Sequence, residues 1–410
     1  MTSAPMQIDP EAAGFAPEKL DRLTNHLESR YVTPKKIAGC SLRVVRKGIT
    51  AHDSTLGLMD IERGKPMRND SIFRIYSMTK PLTSIALMML FEEGEFQLTD
   101  PVYKFIPSWR RHRVWLEGTG DAMASRLPAT PMTIQHLLSH TAGLTYGGSL
   151  PGLELPVDPA YAAAGISRSG NDTLKEFVQK LSQVPLLYDP GSQWSYSLAT
   201  DVCGHLIEVF SGKPLEEFMR EKLFDPLDMP DTCFSVPDHK LDRLAACYER
   251  ASDKSLHLQD DPETSHFRNP PRAPSGAGGL VSTKEDYAHF CEMLVNQGQF
   301  RGRQLIGRPT LDLMTRNHLG GASLAQMTVG GFSETSNEGV GFGLGFASTI
   351  DAAASGTVGE GDFYWGGLAS TLFWVDPRED LYVIFMAQLI PSTTFNFRGQ
   401  IKNLVYGALR

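Results

Sequence analysis

A serine and a lysine stand where they could form a nucleophile and its activator. Ser77 and Lys80 occur in the order Ser77-Met78-Thr79-Lys80, at the start of an apolar segment that has the character of a helix. Residues three apart share a helical face, so the Lys80 amine is expected beside the Ser77 hydroxyl. A neighbouring base activates a serine hydroxyl, and a helix N-terminus favours a developing oxyanion. The pair is a candidate for covalent catalysis, although a chain of this composition also produces this spacing by chance.

Two further segments hold side chains suited to such chemistry. Tyr196 stands just before an apolar run that begins at Leu198, and a tyrosine hydroxyl can give or take a proton. Trp365-Gly366-Gly367 precedes another apolar, strand-like run. Each segment also has an ordinary explanation, since an aromatic beside a helix start or in a strand is commonly part of the core.

The elements expected to position these residues change in type along the chain. Periodicity predicts a helix over 17–31, a hairpin over 37–46 and 49–57, a short β-like run over 71–76 and a helix over 78–93. Further helices are expected at 133–139, 174–181, 198–210 and 215–223, and 147–170 is a candidate wall or lid of a site. The end returns to strands at 342–348, 371–375 and 381–389, before a helix over 395–409. We therefore predict a sheet built from both ends, 1–80 with 271–410, and a mainly helical insertion over 81–270.

Composition excludes several classes of protein. The chain has 410 residues, of which 41% are hydrophobic and 21% charged, as in globular proteins rather than disordered or fibrous ones. The net charge is -8 and the basic residues are scattered, which argues against nucleic acid or an anionic membrane as a partner. No apolar stretch could span a bilayer, and the first residues do not have the pattern of a signal peptide. Five cysteines without CxxC spacing indicate reduced thiols and a cytoplasmic protein.

The three segments together resemble the motifs of the serine β-lactamase and penicillin-binding protein superfamily. The stretch 136–144, which reads HLLSHTAGL, is similar to one in the class C β-lactamase branch, and 278–283 and 342–346 are similar to further landmarks of that branch. The resemblance implies an α+β, β-lactamase-like fold. In that fold an antiparallel sheet is flanked by N- and C-terminal helices and carries an inserted, mainly helical domain.

Two departures from the β-lactamase motifs point to the substrate. Leu198 stands where the Tyr-x-Asn motif has its amide, and Trp365 replaces the lysine of the Lys-Thr-Gly motif. Both changes remove polar groups that hold a β-lactam. The combination looks like the family VIII carboxylesterases and the related lovastatin-type acyltransferases, which implies a small-molecule ester substrate with a short acyl chain.

The resemblance also implies a role for each site residue. Ser77 would form the acyl-enzyme, and Lys80 and Tyr196 would share the proton transfers. The Lys80 cation would lower the pKa of the Tyr196 phenol, which would make Tyr196 the better base for Ser77 and the acid for the leaving alcohol. The backbone N–H groups of Ser77 and Leu368 would form the oxyanion hole. The substrate-binding residues would be Trp365, Gly366, Gly367, Leu198 and Tyr146. No metal or organic cofactor is implied, and association into a homo-oligomer is left open.

Three alternatives to an esterase stay open. An acyltransferase would use the same acyl-enzyme, with an alcohol in place of water. A β-lactamase or D-Ala peptidase would share the nucleophile, and a penicillin-binding sensor would be acylated without turnover. His136 and His140 have the spacing of a metal-binding pair, but no third ligand is apparent.

Overall fold

The structure is a computed structural model that describes residues 7–149, 154–167, 171–329 and 338–410. The strands within these ranges are β1 (Gly39–Arg46), β2 (Ile49–Asp60), β3 (Lys65–Pro66), β4 (Phe73–Arg74), β5 (Val114–Glu117), β6 (Ala124–Arg126), β7 (Cys247–Arg250), β8 (Leu256–Asp260), β9 (Val281–Ser282), β10 (Gln299–Phe300), β11 (Arg303–Gln304), β12 (Val340–Phe342), β13 (Ala347–Thr349), β14 (Phe363–Gly367), β15 (Thr371–Asp376), β16 (Leu381–Ala387) and β17 (Leu389–Ile390).

The helices in the same ranges are α1 (Pro17–Leu27), α2 (Thr79–Glu92), α3 (Ile134–Leu138), α4 (Asp158–Ala163), α5 (Leu174–Leu181), α6 (Ala199–Ser211), α7 (Leu215–Met219), α8 (Lys284–Val295), α9 (Arg308–Thr315), α10 (Leu324–Met327), α11 (Ala352–Ser355) and α12 (Phe397–Tyr406). π-helical turns extend α1 and α7 over Glu28–Val32 and Arg220–Phe224. Short 3-10 turns lie at Tyr76–Met78, Val102–Lys104, Pro107–Arg111, Gly120–Ala122, Asp238–Arg243, His266–Arg268 and Ser392–Thr394. None of the helices in the described ranges has the length and apolar character needed to cross a membrane.

The main sheet joins the two ends of the chain. Its strand order is β12-β13-β14-β15-β16-β1-β2-β3, and every neighbouring pair is antiparallel. Strand β1 lies between β2 and β16, so Val44 is opposite both His52 and Val383. The N-terminal strands β1, β2 and β3 therefore complete a sheet whose other five strands come from the last third of the chain. This arrangement agrees with the predicted α+β class and antiparallel sheet.

Helices cover both faces of this sheet, which is why β16, one of its central strands, is apolar on both faces. Every residue of β16 is buried. Phe385 of β16 packs against Phe397 of α12, with ring centroids 4.9 Å apart, and Phe373 of β15 packs against Tyr287 of α8, at 5.1 Å. Because successive residues of a strand face opposite sides, both faces need apolar side chains.

One predicted strand is a hairpin. We expected a single strand over 342–348, but β12 and β13 fold back on each other with Phe342 opposite Ala347. Gly345 between them has a φ of +96°, which side chains with a Cβ rarely adopt. A Cβ at Gly343 would lie 2.0 Å from the Met314 carbonyl oxygen. The two glycines allow the chain to turn here, although the sequence has one continuous, largely apolar run.

The candidate wall over 147–170 lies partly outside the described residues, at 150–153 and 168–170. Its described part contains α4, whose Tyr161 is buried and accepts a hydrogen bond from the Thr145 N–H at 2.9 Å. This helix therefore supports the segment that leads into Tyr146. The boundaries of the two units, at 80/81 and 270/271, stay a prediction.

Candidate active site

Ser77 lies in a sharp turn between a strand and a helix. The chain leaves β4, passes through the 3-10 turn Tyr76–Met78 and enters α2. Tyr76 has a φ of +41°, in the left-handed region that costs energy for a residue other than glycine. The turn is held by the Tyr287 hydroxyl, which donates to the Met78 carbonyl at 3.0 Å, and by the Ile75 N–H, which donates to the Leu280 carbonyl at 3.1 Å. These contacts present the half-buried Ser77 at the start of the helix.

Lys80 is the second residue of α2 and is buried, with 1% of the residue exposed. Its Nζ is 3.2 Å from Ser77 Oγ, 2.8 Å from the Tyr146 hydroxyl and 2.7 Å from the Ala277 carbonyl oxygen. The structure thus brings the predicted nucleophile and lysine together, as the three-residue spacing requires. It also places Tyr146, predicted to bind substrate, against the lysine.

Tyr196 completes the group from a different part of the chain. Its buried ring lies under Lys80, whose Nζ is 4.4 Å from the ring centroid, and the hydroxyl is hydrogen-bonded to Ser77. The Trp365 indole N–H donates to the Tyr196 hydroxyl at 3.4 Å. The three predicted catalytic side chains and Trp365 therefore lie in one cluster.

The pKa of Tyr196 is shifted in the direction opposite to our expectation. Burial raises the pKa of the phenol well above its ordinary value, and the neighbouring Tyr146 raises it further. Hydrogen bonds from Ser77 and Trp365 lower it by less. The desolvation free energy of a buried phenolate is larger than the stabilisation from these two hydrogen bonds. The Tyr196 phenol is therefore protonated in the resting site.

The strand β14 brings the predicted oxyanion turn against the nucleophile turn. A Cβ at Gly367 would lie 2.3 Å from the Ile75 carbonyl oxygen, so only glycine permits this approach. Leu368 follows directly, and its side chain is 39% exposed. The oxyanion hole formed by the N–H groups of Ser77 and Leu368 remains a prediction, which this close approach supports.

Leu198 lies at the start of α6 and is buried. Its N–H donates to the Thr145 carbonyl at 3.2 Å, which ties it to the segment carrying Tyr146. The position therefore holds a buried apolar side chain, where the β-lactamase motif has an amide.

Two histidines that we considered as metal ligands have other contacts. His136 accepts a hydrogen bond from the Thr133 N–H at 3.2 Å and so caps α3. His140 is buried with its ring 5.2 Å from that of Tyr196, and burial together with the Lys80 charge holds its pKa well below the ordinary value. Within the described ranges, no group of three or more His, Cys, Asp or Glu side chains could hold a metal ion.

Sequence reasoning missed two parts of this site. The Ala277 carbonyl contacts Lys80, and His140 packs against Tyr196. A backbone carbonyl carries no signal in a sequence, so Ala277 could not have been found. His140 was noticed only for its spacing from His136, and nothing local indicates that it packs on a tyrosine 56 residues further along.

Comparison with known proteins agrees with this geometry. A family profile described as Beta-lactamase matches residues 24–402. Protein Rv1367c of Mycobacterium tuberculosis is 32% identical over 341 residues, 82% of each chain. Esterase EstB of Burkholderia gladioli is 29% identical over 401 residues, 94% of each chain. The solved structure of EstCE1, described as a hydrolase with promiscuous acyltransferase activity, is 27% identical with a TM-score of 0.79, covering 95% of this chain and 99% of that one.

These matches extend over nearly the whole chain, including all three catalytic segments. They confirm the resemblance to esterases of the β-lactamase type that the Tyr-Ser-Leu and Trp-Gly-Gly segments indicated. The chain belongs to the beta-lactamase family.

Proposed function

We propose that this protein hydrolyses short-chain carboxylic esters through an acyl-enzyme formed on Ser77. The observation that carries the proposal is the Lys80 Nζ, 3.2 Å from Ser77 Oγ in a cluster shared with Tyr196. EstB is named an esterase and EstCE1 a hydrolase, and these relatives support the predicted class, a carboxylesterase of the β-lactamase superfamily. The apolar side chains of Leu198 and Trp365 suit an ester, which has no carboxylate to bind.

Before the ester binds, the pair formed by the Lys80 amine and the Tyr196 phenol must have lost one proton. That form of the Lys80–Tyr196 pair is either a neutral amine with a phenol or an ammonium with a phenolate, and both contain the same number of protons. Because burial raises the pKa of Tyr196, the first form is favoured. Lys80 is then the base for Ser77, and the Tyr196 hydroxyl transfers a proton to the leaving alcohol.

Acylation takes place in two steps, addition of Ser77 to the ester and departure of the alcohol. The Ser77 oxygen bonds to the ester carbonyl carbon while its proton passes to Lys80, and the oxyanion is held by the predicted N–H groups of Ser77 and Leu368. The bond to the leaving alcohol then breaks, and that oxygen takes a proton through Tyr196. Water repeats the sequence in deacylation: it loses a proton to the pair, bonds to the acyl carbon and releases Ser77, which regains its proton.

The test is a Ser77→Ala variant beside the wild type. We expect nearly all turnover of p-nitrophenyl esters to be lost while the fold is kept, because Ser77 supplies the covalent step. A serine-reactive phosphonate should add once to the wild type, on the peptide that contains Ser77. An adduct on another peptide, or turnover by Ser77→Ala, would overturn the proposal.

An acyltransferase is the second candidate, and the description of EstCE1 favours it. The two activities share the acyl-enzyme and differ in the molecule that accepts the acyl group. Turnover of p-nitrophenyl esters of increasing chain length, with and without an added alcohol, separates them. If the new ester is the main product at low alcohol concentration, transfer is the principal activity. Repeated turnover of any ester excludes a sensor that stays acylated.

We also propose a reducing compartment, the cytoplasm, for this enzyme. All five cysteines are free, and burial raises the pKa of the Cys40 thiol to about 12. Homo-oligomer formation stays a prediction, and sedimentation analysis of the full chain tests it.

A further inference from the structure

The segment that supplies the Ala277 carbonyl is held by side chains from the helix that follows Tyr196. Asp201, on the first turn of α6, is buried with 1% exposed. Its Oδ1 accepts hydrogen bonds from the Ser275 hydroxyl at 2.6 Å and from the Ala277 N–H at 3.0 Å. Ala277 thus contacts Asp201 through its N–H and Lys80 through its carbonyl.

The same segment is also hydrogen-bonded to α2, the helix that carries Lys80. The Thr83 hydroxyl of α2 donates to the Gly276 carbonyl at 2.8 Å. A Cβ at Gly276 would lie 2.9 Å from the Thr200 carbonyl oxygen and 3.0 Å from a methyl carbon of Thr83. The segment therefore lies tightly between α2 and α6, and Asp201 is the charged group that holds it from the α6 side.

The position of the Ala277 carbonyl decides which way the Lys80 amine points. A neutral amine has two N–H donors and one lone pair. A carbonyl oxygen can only accept, so the contact at 2.7 Å uses one N–H, and the Tyr146 hydroxyl at 2.8 Å can accept the second. The lone pair is then directed toward the Ser77 hydroxyl at 3.2 Å, as a general base requires.

We propose that Asp201 is a positioning residue for this reaction: by holding the backbone N–H of Ala277, its carboxylate fixes the Ala277 carbonyl and so orients Lys80 toward Ser77. The negative charge also favours the ammonium that forms when Lys80 takes the Ser77 proton. Titratable groups around Lys80 include Tyr146 and Tyr196, which it contacts, and His140, whose pKa is lowered by burial and by the Lys80 charge. This inference rests on the proposed function, since it assumes that Lys80 is the base for Ser77.

The experiment measures ester turnover across pH for Asp201→Ala, Asp201→Asn and Lys80→Ala. We expect Asp201→Ala to lower kcat roughly 10- to 100-fold, less than removal of the base itself, with KM changed by no more than about twofold. Asp201→Asn keeps an oxygen acceptor for both hydrogen bonds, so it should recover most of kcat. Because it lacks the charge, its acidic limb should move to lower pH, by about one unit.

A matched control is Asp286→Ala in α8. Asp286 is also a buried carboxylate, which accepts from the Asp231 N–H at 2.7 Å and from the Thr232 hydroxyl at 2.9 Å. Its loss should lower stability without lowering kcat per folded molecule. If Asp201→Ala does not fold, Asp201→Asn alone tests the inference through its pH profile.

Two results would overturn the inference while leaving the proposed function intact. In the first, Lys80→Ala is inactive but Asp201→Ala keeps kcat within about twofold of the wild type. In the second, Asp201→Ala loses activity only in proportion to its unfolded fraction, as the control does. An active Lys80→Ala would instead contradict the proposed function.

Discussion

The protonation of Tyr196 is set by opposing features of its surroundings. Burial raises the pKa of the phenol, while hydrogen bonds to Ser77 and Trp365 lower it. Because burial is the largest of these effects, the phenol stays protonated through neutral pH. In the proposed mechanism the proton that must leave before catalysis is then the one on Lys80, so we expect activity to rise with pH as that amine becomes neutral.

Tyr196→Phe tests this assignment. We expect kcat to fall by at least ~10²-fold because the proton relay is lost, while the acidic limb of kcat/KM keeps its position because it belongs to Lys80. The double variant with Lys80→Ala should be little slower than either single variant, since both act on one proton. Tyr31→Phe, which removes a buried hydroxyl bonded to Gln400, is the control. Loss of the acidic limb in Tyr196→Phe would show that the phenolate is the base.

Trp365 and Leu198 predict faster turnover of esters than of β-lactams. A β-lactam carries a carboxylate beside its amide, and neither side chain offers it the charge-assisted hydrogen bond, typically worth ~1.5–3 kcal/mol. We expect kcat/KM for p-nitrophenyl butyrate to exceed that for nitrocefin by at least tenfold, about 1.4 kcal/mol. Both substrates are measured on one preparation, with Ser77→Ala as the blank. A higher value for nitrocefin would favour the β-lactamase alternative.

The end of β14 and the turn before α2 are far apart in the sequence but pack directly against each other. A Cβ at Gly367 would lie 2.3 Å from both the Ile75 carbonyl oxygen and the Thr371 hydroxyl. Leu368 follows Gly367 directly, so the geometry of the predicted oxyanion turn should depend on the absence of a Cβ at Gly367.

Gly367→Ala should therefore lose activity. The methyl group forces β14 away from the Ser77 turn, and we expect kcat to fall by at least ~10²-fold, comparable to the loss of one oxyanion donor. The measurement is ester turnover together with thermal unfolding. Gly64→Ala is the control, because its φ is +60° but its Cβ meets open space, so it should cost stability alone. Wild-type kcat in Gly367→Ala would contradict the oxyanion assignment.

The elements also show where sequence patterns are informative. Ser77 and Lys80 could be found because a helix brings residues three apart onto one face. Strands β15 and β16 could be found because each is a run of mostly apolar, β-prone residues. The hairpin at Gly343 and Gly345 was missed because its turn lies inside an apolar run. The contact of Asp201 with Ala277 joins residues 76 apart through a backbone group, which no local pattern records.

For the molecule as a whole, a buried ion pair fastens the last helix to the sheet. Lys402 of α12 pairs with Asp362, and both are almost entirely buried. The Thr349 hydroxyl of β13 also donates to Asp362, at 2.6 Å. Burial raises the pKa of Asp362, and Lys402 opposes that rise. The pair therefore matters for stability because either charge would be costly if left alone.

Lys402→Met should lower the free energy of unfolding by ~3–5 kcal/mol near neutral pH. An unpaired Asp362 has a pKa above its unfolded value, so its unfavourable charge is removed as pH falls, and the deficit should shrink toward about pH 5. Denaturant unfolding at several pH values measures both effects. Arg308→Met, which breaks an exposed pair with Asp312, should change stability by no more than ~1 kcal/mol. A deficit independent of pH would contradict the role given to Asp362.

The strand order has a consequence for how the enzyme is made. Ser77 and Trp365 are separated by 288 positions, and β1 cannot pair with β16 until β16 has been synthesised. At roughly 5–20 residues per second, a ribosome needs about 15–60 s to add that length of chain. During this interval the nascent polypeptide carries its serine without the strand that completes the site. Catalytic competence should therefore appear only near the end of translation, and a chain terminated before β16 would be inert.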